Sequence, residues 1–385
     1  MNNKKLKKLL FVVNVDWFFL SHRLQIAEAA LNAGYEVHIA TKITDKSDEL
    51  RGYGFVVHPL IMSRGFSSIF SEIKLIFQLY KIYKEVCPVV VHHVTLKMVL
   101  VGGIAAQFVK MPSIVSSISG LGYIFISKKI RIVIFRIIVG LFFRYILASN
   151  NQRVIFQNTD DREVFIKVTG IARSKTLLFP GSGVDLSVFK PTPPISGEIV
   201  IALISRMLGD KGVNEFVDAV KIIKSMKYKN PQCRFVLVGD VDPENPSSLS
   251  LDQIKSWDKE GLIEYWGYRS DISRVLGLVS IVVLPSYREG FPKILMEAAA
   301  CGRPVITTNV PGCRDAIEPL VTGLLVPVRN SKVLANSMQS LIDNENDCKE
   351  MGLAARKRAL KFFDIRDIVD SHLNLYEALI AESSV

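Results

Sequence analysis

Residues 281–305 read Ile281-Val-Val-Leu-Pro-Ser-Tyr-Arg-Glu289-Gly-Phe-Pro-Lys-Ile-Leu-Met-Glu297-Ala-Ala-Ala-Cys-Gly-Arg-Pro-Val305. The apolar run Ile281–Pro285 has the length and β-branched content of a strand buried on both faces, as in a parallel sheet. Pro292 has the fixed φ and missing N–H suited to the first position of a helix. Gly290 and Phe291 then offer backbone amides at that helix's N-terminus, where a phosphate docks readily. Glu289 lies ahead of the helix and Glu297 about five residues inside it, roughly 8 Å deeper along the axis. Carboxylates so spaced cannot share one ligand atom, but they suit the two ends of an extended ligand. Two glutamates alone also suit a solvated helix face. The strand–loop–Pro–helix setting and the small residues Ala298–Gly302 that follow favour a site.

Working outward, the second half alternates strands and helices, with strands at Ile199–Ile204, Arg234–Gly239, Ser280–Pro285, Pro304–Thr307 and Leu324–Pro327. Three helical stretches follow, from Val333 to about Ile380. The first half alternates in the same way. Leu6–Val13 reads as a strand, Leu20–Ala33 as a helix ended by Gly34, and Tyr35–Thr41 and Phe55–Pro59 as strands. A helix around Ile69–Val86, strand Val89–Val94, a helix around Lys97–Val109, and strands Ile114–Ser119, Val154–Gln157 and Leu177–Phe179 continue it. Such alternation specifies a parallel, doubly wound sheet. Between the halves, Lys190-Pro-Thr-Pro-Pro-Ile-Ser-Gly197 has the composition of an interdomain linker. The expected fold class is therefore α/β, with two Rossmann-like domains facing a cleft and ligands at the carboxyl ends of the strands. The boundaries expected are 1–190 and 191–362, with a final helix over 363–385.

At 385 residues and 49% hydrophobic composition, the chain can build two cores. Five scattered cysteines (Cys87, Cys233, Cys301, Cys313, Cys348) lack metal-ligand spacing and fit a reducing, cytoplasmic setting rather than a disulfide framework. The N-terminus, basic and then apolar from Leu9 to Val13, resembles the start of a signal peptide. Asn14 and Asp16 interrupt it and no small-residue cleavage site follows, so a first buried strand is the better reading. The net charge of +11 is uneven. Residues 1–190 hold 25 Lys+Arg against 12 Asp+Glu, and residues 191–385 hold 23 against 25. From 86 to 159 there is no acid at all. This asymmetry predicts an anionic partner for the first half alone.

A second motif completes the first. Strand Ile199–Ile204 runs into Ser205-Arg206-Met-Leu-Gly-Asp-Lys211-Gly212, and a helix opens at Val213. Two cations between a strand end and a helix start suit an anion. By themselves they also suit a solvated loop. Together, the Arg206–Lys211 and Glu289–Glu297 motifs resemble the signature of the retaining glycosyltransferases of family four, which have the GT-B fold. The resemblance implies that Arg206 and Lys211 clamp the donor's pyrophosphate without a metal cofactor, stabilising charge on the leaving group. It implies that Glu289 contacts the donor sugar and Glu297 the ribose hydroxyls, with Gly290, Phe291 and Pro292 beside the donor. Gly239, which ends a strand, resembles the family's glycine near the nucleobase. Trp266-Gly267-Tyr268 resembles the segment that reads the base; there, Asp271 also suits a plain helix N-cap.

The first domain departs from the family pattern, because the loop Asn14-Val-Asp-Trp-Phe-Phe-Leu-Ser-His22-Arg23 has no glycine. It is similar to a subgroup that builds bacterial surface polysaccharides and lipid-linked oligosaccharides, with an arginine at the Arg23 position. Ser119-Gly120-Leu-Gly122 matches that subgroup's turn near the acceptor. The resemblance implies Asp16, His22, Arg23, Lys97, Gly120 and Gly122 on the acceptor side. A histidine at the end of strand 89–94 resembles the residue near the anomeric carbon. Alternation lets only one of His92 and His93 face the cleft, and His93 is the candidate. The last helix is expected to cross back to the first domain, by analogy with the family.

Residues 130–147 form an apolar stretch containing Arg131, Arg136 and Arg144. Those arginines make spanning a bilayer costly. A basic helix over 128–147 lying at an anionic membrane surface is the cheaper arrangement, and a helix packed on the sheet is the alternative. The combined expectation is a retaining glycosyltransferase, peripherally bound to the inner face of the cytoplasmic membrane. It would move an N-acetylhexosamine or hexose from a UDP-sugar to a polyprenyl-diphosphate-linked glycan, in O-antigen or capsule biosynthesis. A GT-B nucleotide-sugar epimerase would need acid/base residues around the sugar, and a noncatalytic nucleotide- or membrane-binding partner would not need the intact motifs. No aromatic-basic motif supports nucleic-acid binding.

Overall fold

The computed structural model describes residues 7–63, 65, 68–121, 130–192, 198–226 and 233–383, with only the backbone for 130–135. The chain packs as two units: residues 1–182 with 366–385, and residues 183–365.

In unit 1 the order is β1 (Lys7–Val13), α1 (Asp16–His22), α2 (Leu24–Asn32), β2 (Tyr35–Thr41), α3 (Ser47–Gly52), β3 (Val56–Pro59) and α4 (Ile69–Val86). There follow β4 (Val90–Val94), α5 (Leu96–Val109), β5 (Ile114–Ile118), α6 (Ile130–Ile146), β6 (Gln152–Phe156), α7 (Thr159–Thr169) and β7 (Thr176–Leu178). Among the described residues the strands form one parallel sheet in the order β3-β2-β1-β4-β5-β6-β7. Strands β4 and β5 are buried at every position, because helices cover both faces. Strand β1 is likewise enclosed from Leu9 onward, as a core strand should be.

Unit 2 runs β8 (Ile199–Ile204), α8 (Val213–Ser225), β9 (Cys233–Val238), α9 (Leu251–Lys259), β10 (Glu264–Gly267), α10 (Ile272–Leu278) and β11 (Ile281–Leu284). It continues with α11 (Lys293–Ala300), β12 (Val305–Thr308), α12 (Cys313–Ala316), β13 (Gly323–Val326), α13 (Ser331–Asp343) and α14 (Glu345–Phe362). Its parallel sheet has the order β10-β9-β8-β11-β12-β13. Helix α15 (Ile365–Ser383) closes the chain and packs with unit 1. Where the chain enters and leaves unit 2 it pairs with itself. The Val184 amide donates to Phe363 O at 2.7 Å, and the Ile365 amide to Val184 O at 3.1 Å.

Three local readings change. The helix expected over Leu20–Ala33 is two helices, since α1 already starts at Asp16 and Arg23 leaves helical geometry (φ −132°) between α1 and α2. Pro292 is the residue ahead of α11 rather than its first, in extended conformation with ψ 121°. Asp271 precedes α10 without capping it; its carboxylate instead takes Arg269 in a bidentate pair at 2.7 and 2.6 Å.

Helix α15 is held to unit 1 by polar contacts beneath an apolar seam. His92 bridges Tyr376 OH at 2.7 Å and Ser117 Oγ at 2.6 Å, and its ring stacks near His372 at 5.7 Å. At the rim Glu377 accepts from Lys7 and Tyr35, and Glu382 from Arg153. Burial holds His92 well below the usual imidazole pKa, and lowers both His93 and His372 to about 3. These rings are neutral in the folded protein, whereas the unfolded chain protonates them below about pH 6.5. The unfolded state then binds more protons, so stability is full above that pH and falls as pH drops toward 3. Between pH 6.5 and pH 5 each such histidine should cost about 2 kcal/mol. Urea midpoints at the two pH values check this, and an unchanged midpoint would refute it.

Candidate active site

In a doubly wound sheet, ligands collect where the strand order reverses. In unit 2 that point lies between β8 and β11, which pair directly. The β8 loop carries Arg206 and Lys211, the β11 loop Glu289, and α11 Glu297, so the order of the strands brings both motifs to one place.

The two loops are joined by backbone. Gly212 has φ +75°, and a Cβ there would overlap the carbonyl of Pro285. Any other residue would force the loops apart. The Tyr287 amide donates to Asp210 O at 2.9 Å, while the fully buried Ser286 reaches Asp210 O at 3.1 Å and Glu289 Oε1 at 2.7 Å. On that support, Lys211 Nζ pairs with Glu289 Oε1. Tyr287 OH donates to Glu215 at 2.5 Å, and the Arg329 guanidinium lies 4.6 Å from the Tyr287 ring centre.

Glu297 is buried in α11 and pairs with Lys293 at 3.3 Å. Burial raises its pKa, with Lys293 opposing the shift. Phe291 is anchored in the core, edge-to-face with Phe363 at 5.7 Å, and Gly290 is buried beside it. Gly239 follows β9 at φ +134°, where a Cβ would overlap the Ser205 carbonyl, so glycine is needed for β9's loop to pass β8's. Its amide donates to Gly267 O at 2.8 Å. Tyr268, just beyond, is 74% exposed. Sequence reasoning missed Ser286 and Asp242. Ser286 stands three residues before Glu289 and was open to discovery, whereas Asp242 meets Arg206, at 2.5 Å, only through folding.

In unit 1 the reversal lies between β1 and β4. Asp16, His22, Arg23 and Lys97 lie on the segments following those strands, where each is engaged in contacts within the unit. The buried Asp16 carboxylate accepts from the amides of Thr44 (2.7 Å) and Lys46 (3.2 Å) and from Thr44 Oγ1 (2.8 Å). Lys97 is buried and donates to Ser63 O, Gly65 O and Glu72 Oε1 at 2.6 to 3.0 Å. A buried charge must be paired, and both residues brace loops. His22 stacks on Phe18 at 4.2 Å. Arg23 is 3% exposed and donates to His22 O at 2.8 Å. Its Nε meets no acceptor among the described residues, and burial lowers its pKa to about 10. His93 lies within β4, fully buried, and points into the helical layer, with Nε2 2.8 Å from Tyr83 OH and the ring against Gly102. Gly120 follows β5, and Gly122 lies outside the described residues.

Two parallel-sheet units, one bearing this pairing of cations and carboxylates at its reversal, define a GT-B glycosyltransferase. Comparison with known proteins names the family: residues 8–158 match "Glycosyl transferase 4-like" and residues 187–358 "Glycosyl transferases group 1". The chain belongs to family four of the glycosyltransferases. It is 29% identical to the N,N'-diacetylbacillosaminyl-diphospho-undecaprenol alpha-1,3-N-acetylgalactosaminyltransferase of Campylobacter jejuni, over 94% of this chain and 98% of that one. It is 26% identical to the capsular polysaccharide biosynthesis glycosyltransferase CapM of Staphylococcus aureus, over 98% and 99%. Identity to the Escherichia coli UDP-Gal:alpha-D-GlcNAc-diphosphoundecaprenol alpha-1,3-galactosyltransferase is 25%, over 80% of each. The fold is shared with Anabaena HepE solved with UDP, at a TM-score of 0.74 and 19% identity, over 96% of this chain and 100% of that one.

Replacing Ser286 with Ala removes the neutral hydroxyl that seats Glu289 and strands buried acceptors. Stability should fall by about 1–2 kcal/mol in urea titrations, and sugar transfer by about tenfold in kcat/KM. Full activity would show that Glu289 needs no such support.

Proposed function

We propose that this protein moves an N-acetylhexosamine or hexose from a UDP-sugar to a polyprenyl-diphosphate-linked glycan, with retention of configuration, in surface-polysaccharide synthesis. The observation that carries the reading is the joining of Arg206, Lys211, Glu289 and Glu297 around one sheet reversal. The names of two relatives, each with a diphospho-undecaprenol acceptor, support the acceptor class. Arg206 and Lys211 would hold the diphosphate, Glu289 the sugar hydroxyls and Glu297 the ribose. As the bond from C1 to the diphosphate oxygen breaks, its electron pair stays on the diphosphate. The acceptor oxygen bonds to C1 on the same face and passes its proton to that departing oxygen. Negative charge grows on the leaving group, where fixed cations lower the barrier. In this reading they serve in place of a metal ion, so EDTA should leave the rate unchanged.

The test is a panel of UDP- and GDP-sugars, scored for nucleotide release with a polyprenyl-diphosphate glycan present. One UDP-sugar should stand out, and Lys211→Ala should lower its kcat by about 10²–10³. A Glu289→Gln variant with full transfer would contradict the sugar contact.

The acceptor reading needs a route to a membrane. No helix among the described residues is long and apolar enough to cross one. Helix α6 buries Val139, Phe143 and Ile146 but exposes Ile137, Ile138, Leu141, Phe142 and Tyr145 beside Arg136 and Arg144. Arg131 belongs to its first turn, where side chains lie outside the described residues. Such a face suits peripheral binding to an anionic membrane surface. Changing Arg131, Arg136 and Arg144 to Glu should release the protein from anionic vesicles; unchanged sedimentation would sink the idea.

A further inference from the structure

On the reading that Arg206 and Lys211 hold the donor's diphosphate, each cation already has a carboxylate on it: Asp242 at Arg206 and Glu289 at Lys211. Glu289 gains the sugar as a partner when the donor binds. Asp242 does not, and it is built into the site. Its side chain is 10% exposed against 41% for Arg206. Its amide donates to Ser248 Oγ at 2.9 Å, and its carbonyl accepts the Asn245 amide at 2.8 Å. The 240–249 loop is sewn onto the loop that bears Arg206. The Met207 amide donates to Asp240 O, the Leu249 amide to Met207 O and the Gly209 amide to Ser247 O, at 2.7 to 2.9 Å. The backbone that carries the Asp242 carboxylate is thus fixed beside the loop of Arg206.

We propose that Asp242 is a resident counter-ion that competes with the diphosphate for Arg206 and so sets how readily the nucleotide product leaves. Unopposed, the guanidinium would hold the diphosphate at full strength before and after transfer. With Asp242 at 2.5 Å, an entering diphosphate meets a like charge next to its ligand, and a departing one leaves a cation that is neutralised at once. Binding is weakened on both sides of the reaction, and release is eased.

The experiment is calorimetric titration of the full chain with UDP. Asp242→Asn keeps the shape and removes the charge, and it should tighten UDP binding and product inhibition by about tenfold. The donor KM should fall, with kcat falling or unchanged. Asp240→Asn is the control, because that exposed carboxylate lies two residues away and is not paired with Arg206. It should shift UDP affinity less than about twofold. Unchanged or weaker binding in Asp242→Asn, or equal tightening in Asp240→Asn, would overturn the proposal. Should the Asn variant not fold, Asp242→Ser bears the same test. A separate failure is recognisable: if Arg206→Ala binds UDP as well as the unaltered chain, the diphosphate reading itself is wrong.

Discussion

The site of unit 2 depends on a close approach of backbone, Gly212 lying against the carbonyl of Pro285. At a reversal of order the connections that leave two adjacent parallel strands run to opposite faces of the sheet, and their loops would separate without something to join them. This contact joins them through atoms that no side chain could replace. Ser286 can then reach across to Asp210, and Glu289 can reach Lys211. The chemistry of the site follows from packing in the backbone beneath it.

Charge is handled differently in the two units. In unit 2 the cations and carboxylates are paired yet partly open to solvent, so a ligand can exchange into them. In unit 1 Asp16 and Lys97 are enclosed and fully engaged in holding loops. Arg23 stands between these cases, buried among His92, His372 and Tyr376 without a carboxylate on it among the described residues. Neutral imidazoles and an un-ionised phenol let a guanidinium sit there without a like charge alongside.

Strands buried on both faces were the most legible elements, because a run such as Ile281-Val-Val-Leu has few other uses. Edge strand β10 was not read as one, since its Glu-Tyr-Trp-Gly is half-buried throughout and shows no apolar run. The break at Arg23 was hidden because apolar periodicity continues across it. Alternation along β4 rightly separated His92 from His93 but could not say what lay on each side. One faces α15 and the other faces Tyr83, and both are interior. The motif pairs of unit 2 were legible as sequence; the reach of Ser286 to Asp210 and of Asp242 to Arg206 runs between loops far apart in the chain. Only the fold makes those contacts.

Helix α15 has a consequence for how the chain is made. Its Tyr376 and Leu379 fill the core of the unit that holds β1, and a ribosome delivers them only after the whole of unit 2. Domains commonly fold in the order of synthesis. Here the first sheet must wait, with Phe11, Val90 and Val115 lacking part of their cover, while all of unit 2 emerges and is free to fold. The second half of this protein can be complete before the first.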